Sequence, residues 1–542
     1  MVSSSRAAPA VEIYKAIQLA ARLSFVAIAF LLLGCGSGSR PPPIGDFSIT
    51  ISPSSVSAQV GAAAPPVMIG VDAQNGFTGT VDIALQGLPP GFTASPSTSF
   101  SMAPGASQSV TFSIPPSAAV GMSSIAAVGT SGTLSHRTQL TLTAEAIVRT
   151  YQTGSVLCLE SGTATDTSRI GLETIWGGSI VEVSLNGTNF VNRHDTGREV
   201  QPSYRDGNDL NYNPTLGGDD WNQGTPTLAY TVAADSLYTK AQPLQWYPDA
   251  YGGGLGHPIL GDMMVEQTVT AVLDQPHTFK AHFRATHLNN DLHFTTGQEF
   301  PAVYTNLDYN RFVYYAGTSP WTSGATTTIF FPILGNPNPP LYVPELWGAL
   351  VNSQNVGLTV YVPSQDPLFI GFQAPDPGPG GPTDNATNYF APLGNLTIGP
   401  GLVFEGDVCL IAGDATIARK IVYQLHQTIS APDIFAPYEA TDQPAQGSTV
   451  SGVTTVSGWA FDDRQVAKVE IIVDGVVDGI ATYGSPRPDV RQVYPASPVN
   501  VGFTYSLNTA KYANGAHTLS VRVTDTSGNI TLPPNEVITI AN

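Results

Sequence analysis

The sequence predicts an all-β protein made of several β-sandwiches. Of its 542 residues, 54 are glycine and 44 are proline, whereas charged residues make up only 12%. Turn-forming residues at this density, with few charges to cover exposed helix faces, favour short strands joined by turns. The hydrophobic fraction of 42% is sufficient to fill cores, and a chain of this length accommodates about three or four domains.

The charge of the chain excludes one class of partner. There are 22 lysine and arginine residues against 41 aspartate and glutamate residues, which gives a formal net charge of −19. Non-specific nucleic-acid binding depends on a basic field that collects phosphates. We therefore expect no nucleic-acid partner.

The first 34 residues predict a secretory signal peptide. Basic residues precede an apolar run, residues 23–34, that is too short to span a bilayer as a mature helix. The run ends in Leu32-Leu33-Gly34-Cys35, which resembles the lipobox of bacterial lipoproteins. The resemblance implies a lipid on Cys35, a tether over residues 35–45, and membrane contact only through this anchor, at the outer membrane or cell surface. An ordinary secretory signal that contains a cysteine is the alternative.

Export makes the two remaining cysteines informative. Cys158 and Cys409 lie in short strand-like runs that bracket the middle of the protein. Disulfides persist in the oxidising compartments to which exported proteins are delivered. We predict a Cys158–Cys409 bridge that ties the first strand of the central region to its last. Two buried free thiols are the alternative.

Residues 46–145 predict a first β-sandwich. Alternating segments such as Val81-Asp-Ile83-Ala-Leu85 recur between Gly- and Pro-rich turns, a spacing typical of about seven short strands. The run of residues 76–91 is similar to bacterial Ig-like modules of secreted proteins. It contains no cluster of catalytic residue types.

Residues 432–542 predict a second sandwich of the same general kind. Asp474-Gly475 is typical of a two-residue hairpin turn. Residues 456–460, 469–473 and 515–529 resemble the C-terminal Ig-like repeats of many bacterial surface proteins. The resemblance implies a spacer or adhesive module.

Residues 148–431 carry the residue types suited to a functional site. Five of the six tryptophans lie here, and six of the nine histidines fall between residues 194 and 293. Residues 176–201 combine a Gly-Gly entry, an alternating strand, an Asn-Gly hairpin and a polar turn, Asp195-Thr-Gly-Arg198. This run resembles the opening of galactose-mutarotase-like β-supersandwiches, a fold shared by sugar epimerases, polysaccharide lyases and glycoside hydrolases. The resemblance implies a carbohydrate-active central sandwich with a catalytic histidine and carboxylate in its concave sheet.

Residues 277–287 predict a strand with one apolar and one cationic face. Period-2 alternation places Lys280, His282 and Arg284 together on the polar face. The preceding strand, residues 263–272, forms a hairpin with it if residues 274–276 are the loop. Matching the polar faces then predicts three cross-strand pairs: Glu266 with Arg284, Thr268 with His282 and Thr270 with Lys280. The result is either a neutral, solvated ladder or a cleft floor with surplus positive charge that suits an acidic sugar.

The segment after this strand supplies candidate acid–base groups. His293 and Glu299 are predicted as a proton-transfer pair, with His282 as a third catalytic residue, because a histidine and a carboxylate can divide acid and base roles. A hydrogen-bonded rim histidine and an exposed glutamate are the alternative. Histidines five residues apart on a strand face opposite sides, so at most two of the four between 277 and 293 could share a site. We expect no metal and no cofactor.

Further polar and aromatic residues are predicted to bind substrate. Sugar rings stack on aromatic faces, and their hydroxyls need convergent polar groups. The candidate substrate-binding residues are Arg198, Gln201, Tyr204, Asn213, Lys280, Arg284, Glu345 and Trp347. If these segments form one cleft, Arg198, His282, His293 and Glu299 converge beside an exposed tryptophan or tyrosine.

Two classes of function fit these observations. The first is a surface-anchored carbohydrate-active enzyme, a polysaccharide lyase or glycoside hydrolase, with the central region as catalyst and the Ig-like modules as spacers. The second is a non-catalytic glycan-binding or adhesive lipoprotein, in which the same aromatic residues only hold sugar. No nucleophile elbow, phosphate loop or dinucleotide fingerprint occurs at a usable spacing.

Overall fold

The structure, a computed structural model, describes nine stretches of the chain. They are residues 44–194, 197–251, 257–333, 340–364, 366, 368–374, 384–429, 431–495 and 497–542. The predicted signal peptide, the lipidation site Cys35, most of the tether and the turn residue Asp195 lie outside them. Within these stretches strands account for 56% of the residues and helices for 6%, which confirms the all-β prediction. No helix in the described stretches is long and apolar enough to cross a membrane.

The first nine strands form a two-sheet sandwich. Four of them build one sheet, in the order β1-β3-β7-β5, and five build the other, in the order β2-β9-β8-β4-β6. Alternate residues such as Val67, Ile69 and Val71 are fully buried between the sheets, because successive side chains of a strand point to opposite faces. The strands are β1 (Asp46–Ser52), β2 (Ser55–Gln59), β3 (Val67–Gln74), β4 (Val81–Gln86), β5 (Thr93–Ser95), β6 (Ser99–Met102), β7 (Ser107–Ser113), β8 (Gly121–Ser131) and β9 (Leu134–Glu145).

The next 21 strands form three sheets around the largest core. The first ten are β10 (Ile147–Thr153), β11 (Val156–Gly162), β12 (Thr167–Glu173), β13 (Ser179–Leu185), β14 (Thr188–Asn189), β15 (Val200–Ser203), β16 (Pro214–Thr215), β17 (Thr227–Val232), β18 (Ser236–Ala241) and β19 (Leu244–Gln245). The others are β20 (Met263–Ala271), β21 (Thr278–His287), β22 (His293–Asn306), β23 (Arg311–Tyr314), β24 (Thr327–Ile329), β25 (Leu341–Tyr342), β26 (Trp347–Val351), β27 (Val356–Tyr361), β28 (Leu368–Phe372), β29 (Thr387–Ile398) and β30 (Val403–Asp414). Short 3-10 turns occupy Thr174–Trp176 and Pro248–Tyr251.

Two large sheets face each other across this core. A seven-stranded sheet has the order β19-β16-β15-β22-β29-β28-β25, and a nine-stranded sheet has the order β17-β18-β20-β21-β30-β27-β26-β23-β24. The remaining sheet contains β10 to β14 in sequence order. Phe279 and Phe283 from β21 meet Phe300 from β22 in the shared core. The opposite face of the seven-stranded sheet therefore remains available for polar side chains.

One helix, α1 (Ala415–Thr428), covers the outer face of the nine-stranded sheet. The Asp414 carboxylate accepts hydrogen bonds from the backbone N–H groups of Thr416 and Ile417 and so caps the helix. Buried apolar residues recur at helical spacing, namely Ala418, Ile421, Val422 and Leu425. The prediction of strands alone did not include this helix, although the cap and the spacing are both visible in the sequence.

The last ten strands form another two-sheet sandwich. Its sheets have the orders β31-β33-β37-β36 and β32-β40-β38-β34-β35, with β39 paired to β38. Asp474 and Gly475, with φ of 50° and 76°, form the predicted tight turn between β34 and β35. The strands are β31 (Tyr438–Gln443), β32 (Thr449–Val450), β33 (Val453–Phe461), β34 (Val466–Val473), β35 (Val476–Ile480), β36 (Thr482–Pro486), β37 (Asn500–Asn508), β38 (Gly515–Asp525), β39 (Ile530–Thr531) and β40 (Glu536–Ile540). A helix α2 (Pro488–Val493) and a 3-10 turn Thr509–Lys511 complete this part.

The predicted Cys158–Cys409 bridge is absent from the structure, in which both cysteines are free, buried thiols. Leu157 and Leu159 on β11, and Val408 and Leu410 on β30, face the shared core. Because side chains alternate along a strand, the cysteine between each pair faces away from that core. Two thiols on the outward faces of different sheets cannot meet.

Alkylation should distinguish free thiols from a bridge. In denaturant without a reductant, iodoacetamide should label the peptides that contain Cys158 and Cys409. In the native protein both should be protected, because burial raises the pKa of each thiol, that of Cys409 to about 12. Peptide mass mapping with and without prior reduction measures the labelling. If the two peptides were labelled only after reduction, the protein would contain the Cys158–Cys409 disulfide.

Candidate functional site

A pocket of about 130 Å³ lies on the face of the seven-stranded sheet that points away from the core. Strands β15, β16 and β22 form its floor, and the residues after β19 form one wall. Four predicted residues line it, namely Arg198, Gln201, Asn213 and Glu299. Seven others complete the lining: Ser203, Arg205, Thr215, Trp246, Tyr247, Ala302 and Tyr304. The structure therefore brings Arg198 and Glu299 to one site.

The Glu299 carboxylate is held from two sides. Its Oε1 accepts a hydrogen bond from Arg205 Nη2 at 2.6 Å and one from the Tyr389 hydroxyl at 2.7 Å. The glutamate is only 5% exposed, and the nearby carboxylate raises the pKa of Arg205 above its usual value. Burial raises the pKa of Tyr389, which therefore stays a hydrogen-bond donor. Glu299 is thus an ion-pair partner that fixes the Arg205 guanidinium.

A second guanidinium is stacked on an aromatic ring. Arg198 lies over the Trp246 indole, 3.8 Å from the ring centroid, which is cation–π geometry. Burial and the neighbouring Asp219 raise the pKa of Asp220 above its usual value, and Arg198 partly opposes this rise. Tyr247, next in sequence to Trp246, is 43% exposed and lines the same pocket. The pocket therefore combines two cations, one buried carboxylate and accessible aromatic surface.

Amide and hydroxyl side chains hold the floor of the pocket. Ser203 Oγ donates to Asn213 Oδ1 at 2.7 Å, and the Asn213 backbone N–H donates to Gln245 Oε1 at 3.0 Å. Gln201 is 2% exposed, and its Oε1 accepts from the Gly217 backbone N–H. Gln201 is therefore a structural residue of the floor, whereas the Asn213 side chain remains partly accessible.

Tyr204 is not part of the pocket. It lies between Ser203 and Arg205, which both line the pocket, and its own side chain faces the core. The residue is 1% exposed, and its ring makes an edge contact with Phe404 at a centroid distance of 6.4 Å. Strand alternation explains the correction, because neighbouring residues on a strand face opposite sides.

The cationic strand face lies on a different sheet. The three predicted pairs are confirmed: Glu266 with Arg284, Thr268 with His282 and Thr270 with Lys280. This face belongs to the outer side of the nine-stranded sheet, whereas Glu299 belongs to the seven-stranded sheet. The structure therefore does not bring Lys280, His282 and Arg284 to the pocket that contains Arg198. The predicted convergence of His282 with Arg198 in one cleft is wrong.

The predicted surplus of positive charge is also absent from this face. Strand β30 pairs with β21 and contributes Glu405 and Asp407. Arg284 Nε donates to Glu405 Oε1 at 2.9 Å, while His282 Nδ1 lies 2.8 Å from Asp407 Oδ1. Lys280 Nζ lies 3.5 Å from the same Asp407. These contacts support the solvated-ladder alternative, because carboxylates from both neighbouring strands balance the cations.

His293 and Glu299 do not form a proton-transfer pair. The two nitrogens of His293 contact Asp206 Oδ2 at 2.9 Å and Asp262 Oδ2 at 3.0 Å, and the ring stacks on Tyr212 at a centroid distance of 3.8 Å. Burial raises the pKa of Asp262, but hydrogen bonds from His293 and Tyr212 lower it to about 2. Glu299 is not the partner of His293, because its carboxylate pairs with Arg205.

The His293 cluster has the donor set of a metal site. One ligand-type atom from each of four residues lies within 4.8 Å of the others: Asp262, His287, Asp291 and His293. Two imidazoles and two carboxylates suit a four-coordinate divalent ion such as zinc. Two histidines share this cluster, which is the maximum that their spacing allowed. They meet because His287 ends β21 and His293 begins β22.

Glu345 and Trp347 have a structural role in place of the predicted substrate contact. Glu345 is fully buried, and its oxygens accept from Arg419 at 2.8 and 3.0 Å and from the Trp347 indole N–H at 2.9 Å. The Tyr423 hydroxyl donates to the same carboxylate at 2.6 Å. These contacts join α1 to the nine-stranded sheet, on the face that lies away from the pocket.

Sequence reasoning missed the seven other lining residues and Tyr389 behind them; the charged or aromatic ones are Arg205, Trp246, Tyr247, Tyr304 and Tyr389. Arg205 could have been found from the sequence, because it lies two residues after Ser203, with the apolar-facing Tyr204 between them at the end of β15. Tyr389 could not, because it comes from β29, whose pairing with β22 spans about 80 to 100 residues of sequence. Long-range strand pairing leaves no local sequence signal.

A larger concavity, of about 760 Å³, lies between β29 and β30 on one side and β38 and β39 on the other. Its lining consists mainly of glycine, proline and apolar residues, with Glu405, Asp433 and Arg522 as its charged members. Arg522 and Glu405 are already paired, with Glu470 at 2.8 Å and Arg284 at 2.9 Å. The smaller pocket therefore concentrates more groups capable of chemistry.

Residues 440–521 match the family model of a bacterial Ig domain. This match confirms the Ig-like prediction for the C-terminal region, and such domains are typical of surface or extracellular proteins. No curated protein sequence matches the chain.

Solved structures that resemble the chain include three carbohydrate-related proteins. A polysaccharide lyase has 10% identity, 70% coverage of this chain and 47% of its own, and a TM-score of 0.28. An aldose 1-epimerase from Klebsiella pneumoniae has 14% identity, 57% and 88% coverage, and a TM-score of 0.28. An endo-β-1,4-mannanase from Thermotoga petrophila has 15% identity, 24% coverage of each chain and a TM-score of 0.16. The chain thus spans about a quarter of the mannanase and half of the lyase, and TM-scores this low do not establish a shared fold.

Proposed function

We propose that the pocket of Arg198, Arg205 and Glu299 binds an acidic sugar unit of a polysaccharide and that the protein is a polysaccharide lyase. The observation that carries this proposal is the convergence of two guanidiniums, an amide and aromatic rings in one pocket. A uronate presents a carboxylate, several hydroxyls and apolar C–H faces. The pocket offers a complementary group for each of these features.

The arginines account for the choice of an acidic sugar. A guanidinium grips a carboxylate with two parallel hydrogen bonds, and stacking on an aromatic ring fixes its plane in advance. Arg198 is stacked on Trp246, and Arg205 is fixed by Glu299. A preorganised cation loses less conformational entropy when it binds. The pocket is therefore better suited to a uronate than to a neutral sugar.

Elimination is the reaction that this pocket supports best. A base removes the proton at C5 of the uronate, the C4–O bond breaks as a C4=C5 double bond forms, and the departing oxygen takes up a proton. Negative charge develops on the sugar carboxylate during the first step, where a bound guanidinium stabilises it. Tyr247 and Tyr304 place phenol groups in the same pocket and are our candidates for proton transfer.

Hydrolysis is less well supported than elimination. Most glycoside hydrolases need two carboxyl groups that flank the scissile bond. Among the described lining residues Glu299 is the only carboxylate, and Arg205 and Tyr389 already occupy it. This occupancy also favours, as a second candidate, a glycan-binding protein that performs no chemistry.

The proposed function includes a location and a domain plan. We propose that Cys35 is lipidated, that residues 46–145 and 432–542 act as spacers, and that residues 148–431 form the active module at the outer membrane or cell surface. The bacterial Ig match at residues 440–521 supports this plan for the C-terminal part.

A substrate panel tests the function. The full chain is incubated with uronic-acid polymers and with neutral polysaccharides, and ultraviolet absorbance of unsaturated uronides and new reducing ends are both measured. Elimination raises both signals with uronic-acid polymers only. New reducing ends without the absorbance would show hydrolysis, and binding without either signal would show the glycan-binding alternative.

Arg198→Lys tests the role of the pocket. A lysine keeps the charge but loses the planar fork and its stacking on Trp246, so we expect affinity for the substrate from the panel to fall by about tenfold or more. Arg284→Lys is the matched control, because Arg284 lies in the solvated ladder on the other sheet. Calorimetry measures both affinities. Equal affinities for the two variants would show that Arg198 does not contribute to substrate binding.

A further inference from the structure

Five aspartates converge where the central sheets meet the C-terminal sandwich. Three of them, Asp366, Asp462 and Asp463, have ligand oxygens within 4.8 Å of one another. Asp462 also belongs to a second such group with Asp433 and Asp525. Asp462 is therefore the shared member at the centre of the cluster.

Two of these carboxylates are buried with an oxygen that has no partner. Asp366 is 1% exposed and Asp462 is 7% exposed. The Oδ2 atom of each accepts no hydrogen bond from the described residues, and the same holds for Asp433 Oδ2. Buried polar atoms are otherwise almost always paired, because an unpaired one loses its hydration without compensation. Unpaired oxygens on three carboxylates, in two groups that share Asp462, indicate a missing positive partner.

The described protein groups do not supply enough positive charge. Among the described residues, Arg464 is the basic residue in ion-pair contact with the cluster, with its Nε 3.7 Å from Asp463 Oδ2. Burial, reinforced by the neighbouring aspartates, raises the pKa of Asp462 to about 7 and that of Asp433 to about 6. One arginine against five carboxylates leaves a strong mutual repulsion inside the protein.

We propose that a calcium ion binds at this junction, with Asp462 as the central ligand. Calcium takes six to eight oxygen ligands and tolerates irregular geometry, which carboxylates from separate loops and strand ends can provide. The cluster offers oxygen donors without a thiolate or a coordinating imidazole, which disfavours zinc and copper.

The ion joins two parts of the chain. Asp366 follows β27, and Asp433 lies between α1 and β31, whereas Asp462, Asp463 and Asp525 follow or end strands of the C-terminal sandwich. Ligands from both sides make the contact between the central sheets and the Ig-like module dependent on calcium. This site is separate from the sugar pocket and does not depend on the proposed function.

Calcium binding is tested on the full chain after removal of metals with EGTA. Calcium should bind in equilibrium dialysis and should raise the thermal unfolding midpoint by about 3 °C or more, because it binds only the folded state. Magnesium at the same concentration should not reproduce the rise. Absence of calcium uptake at millimolar concentration would overturn the site, and an equal effect of magnesium would overturn the assignment to calcium.

Asp462→Asn provides a second test, in which the unfolding temperature and the calcium affinity should change in opposite directions. The asparagine keeps the Oδ1 acceptor for the backbone N–H groups of Arg464 and Gln465 but removes one of the repelling charges. In EGTA the variant should therefore unfold at a higher temperature than the unsubstituted chain, while its calcium affinity falls about tenfold or more. Asp308→Asn, at an exposed position on the central sheets, is the matched control and should change neither value. Wild-type calcium affinity in Asp462→Asn would overturn the proposal.

Discussion

Glu345→Gln should destabilise the central sheets by about 3–5 kcal/mol, the usual cost of breaking a buried ion pair from one side. The substitution leaves the Arg419 guanidinium without its counter-charge beneath α1. Both Glu345 oxygens accept hydrogen bonds; the donors are Arg419, Trp347, Tyr423 and the Trp321 backbone N–H. The NH₂ group of a glutamine at this position would face some of these donors and could accept none of their hydrogen bonds. Donor facing donor adds to the electrostatic loss.

Urea unfolding followed by tryptophan fluorescence measures this effect, since Trp321 and Trp347 both contact the buried carboxylate. Glu405→Gln is the control. Its half-exposed carboxylate pairs with Arg284 in the ladder, and it should cost no more than about 1 kcal/mol. If the two variants were equally stable, Glu345 would not stabilise the attachment of α1. The predicted role of Glu345 in substrate binding would then need to be reconsidered.

Glu299→Gln should lower turnover of the polysaccharide identified in the panel by about 10²-fold. The glutamine still accepts a hydrogen bond from Tyr389 but carries no charge to hold the Arg205 guanidinium at 2.6 Å. A displacement of about 1 Å in a positioning group is sufficient for a loss of this size. Glu299 therefore acts through Arg205 and is a positioning residue, not the member of a proton-transfer pair that its sequence context predicted.

Steady-state kinetics separate this role from a purely structural one. Loss of the positioned cation that binds the sugar carboxylate should lower kcat and raise KM, whereas a general loss of folded protein would lower the apparent kcat and leave KM unchanged. Glu266→Gln is the control, because Glu266 pairs with Arg284 outside the pocket. If the panel shows binding only, the same pair of variants is compared by affinity. Unchanged kinetics and affinity in Glu299→Gln would exclude Arg205 and Glu299 from the site.

Local sequence patterns were sufficient where one strand pair decides the geometry. The pairing of Glu266 with Arg284 followed from period-2 alternation and a short loop, because a hairpin fixes its own register. The Asp474-Gly475 turn followed from two residues that accept positive φ. The capped helix α1 was equally local and was missed because composition favoured strands throughout.

Contacts between distant strands decided the rest. Asp407 contacts the His282 ring across 125 residues of sequence, and the Tyr389 hydroxyl donates to Glu299 across 90. Neither pairing changes the local pattern of the strands involved. The candidate list therefore contained the correct residues of the pocket, Arg198 and Glu299, together with residues of other faces, such as His282 and Trp347.

The sequence by itself determined the all-β class, the face of each strand and the residue types available for a site. Only the tertiary structure decided which faces lie together, and it thereby separated Lys280 and His282 from Arg198 and kept Cys158 apart from Cys409. The physical reason is that alternation along a strand assigns a side but does not identify its neighbour. The neighbour depends on sheet order, which is set by packing between segments that are far apart in the chain.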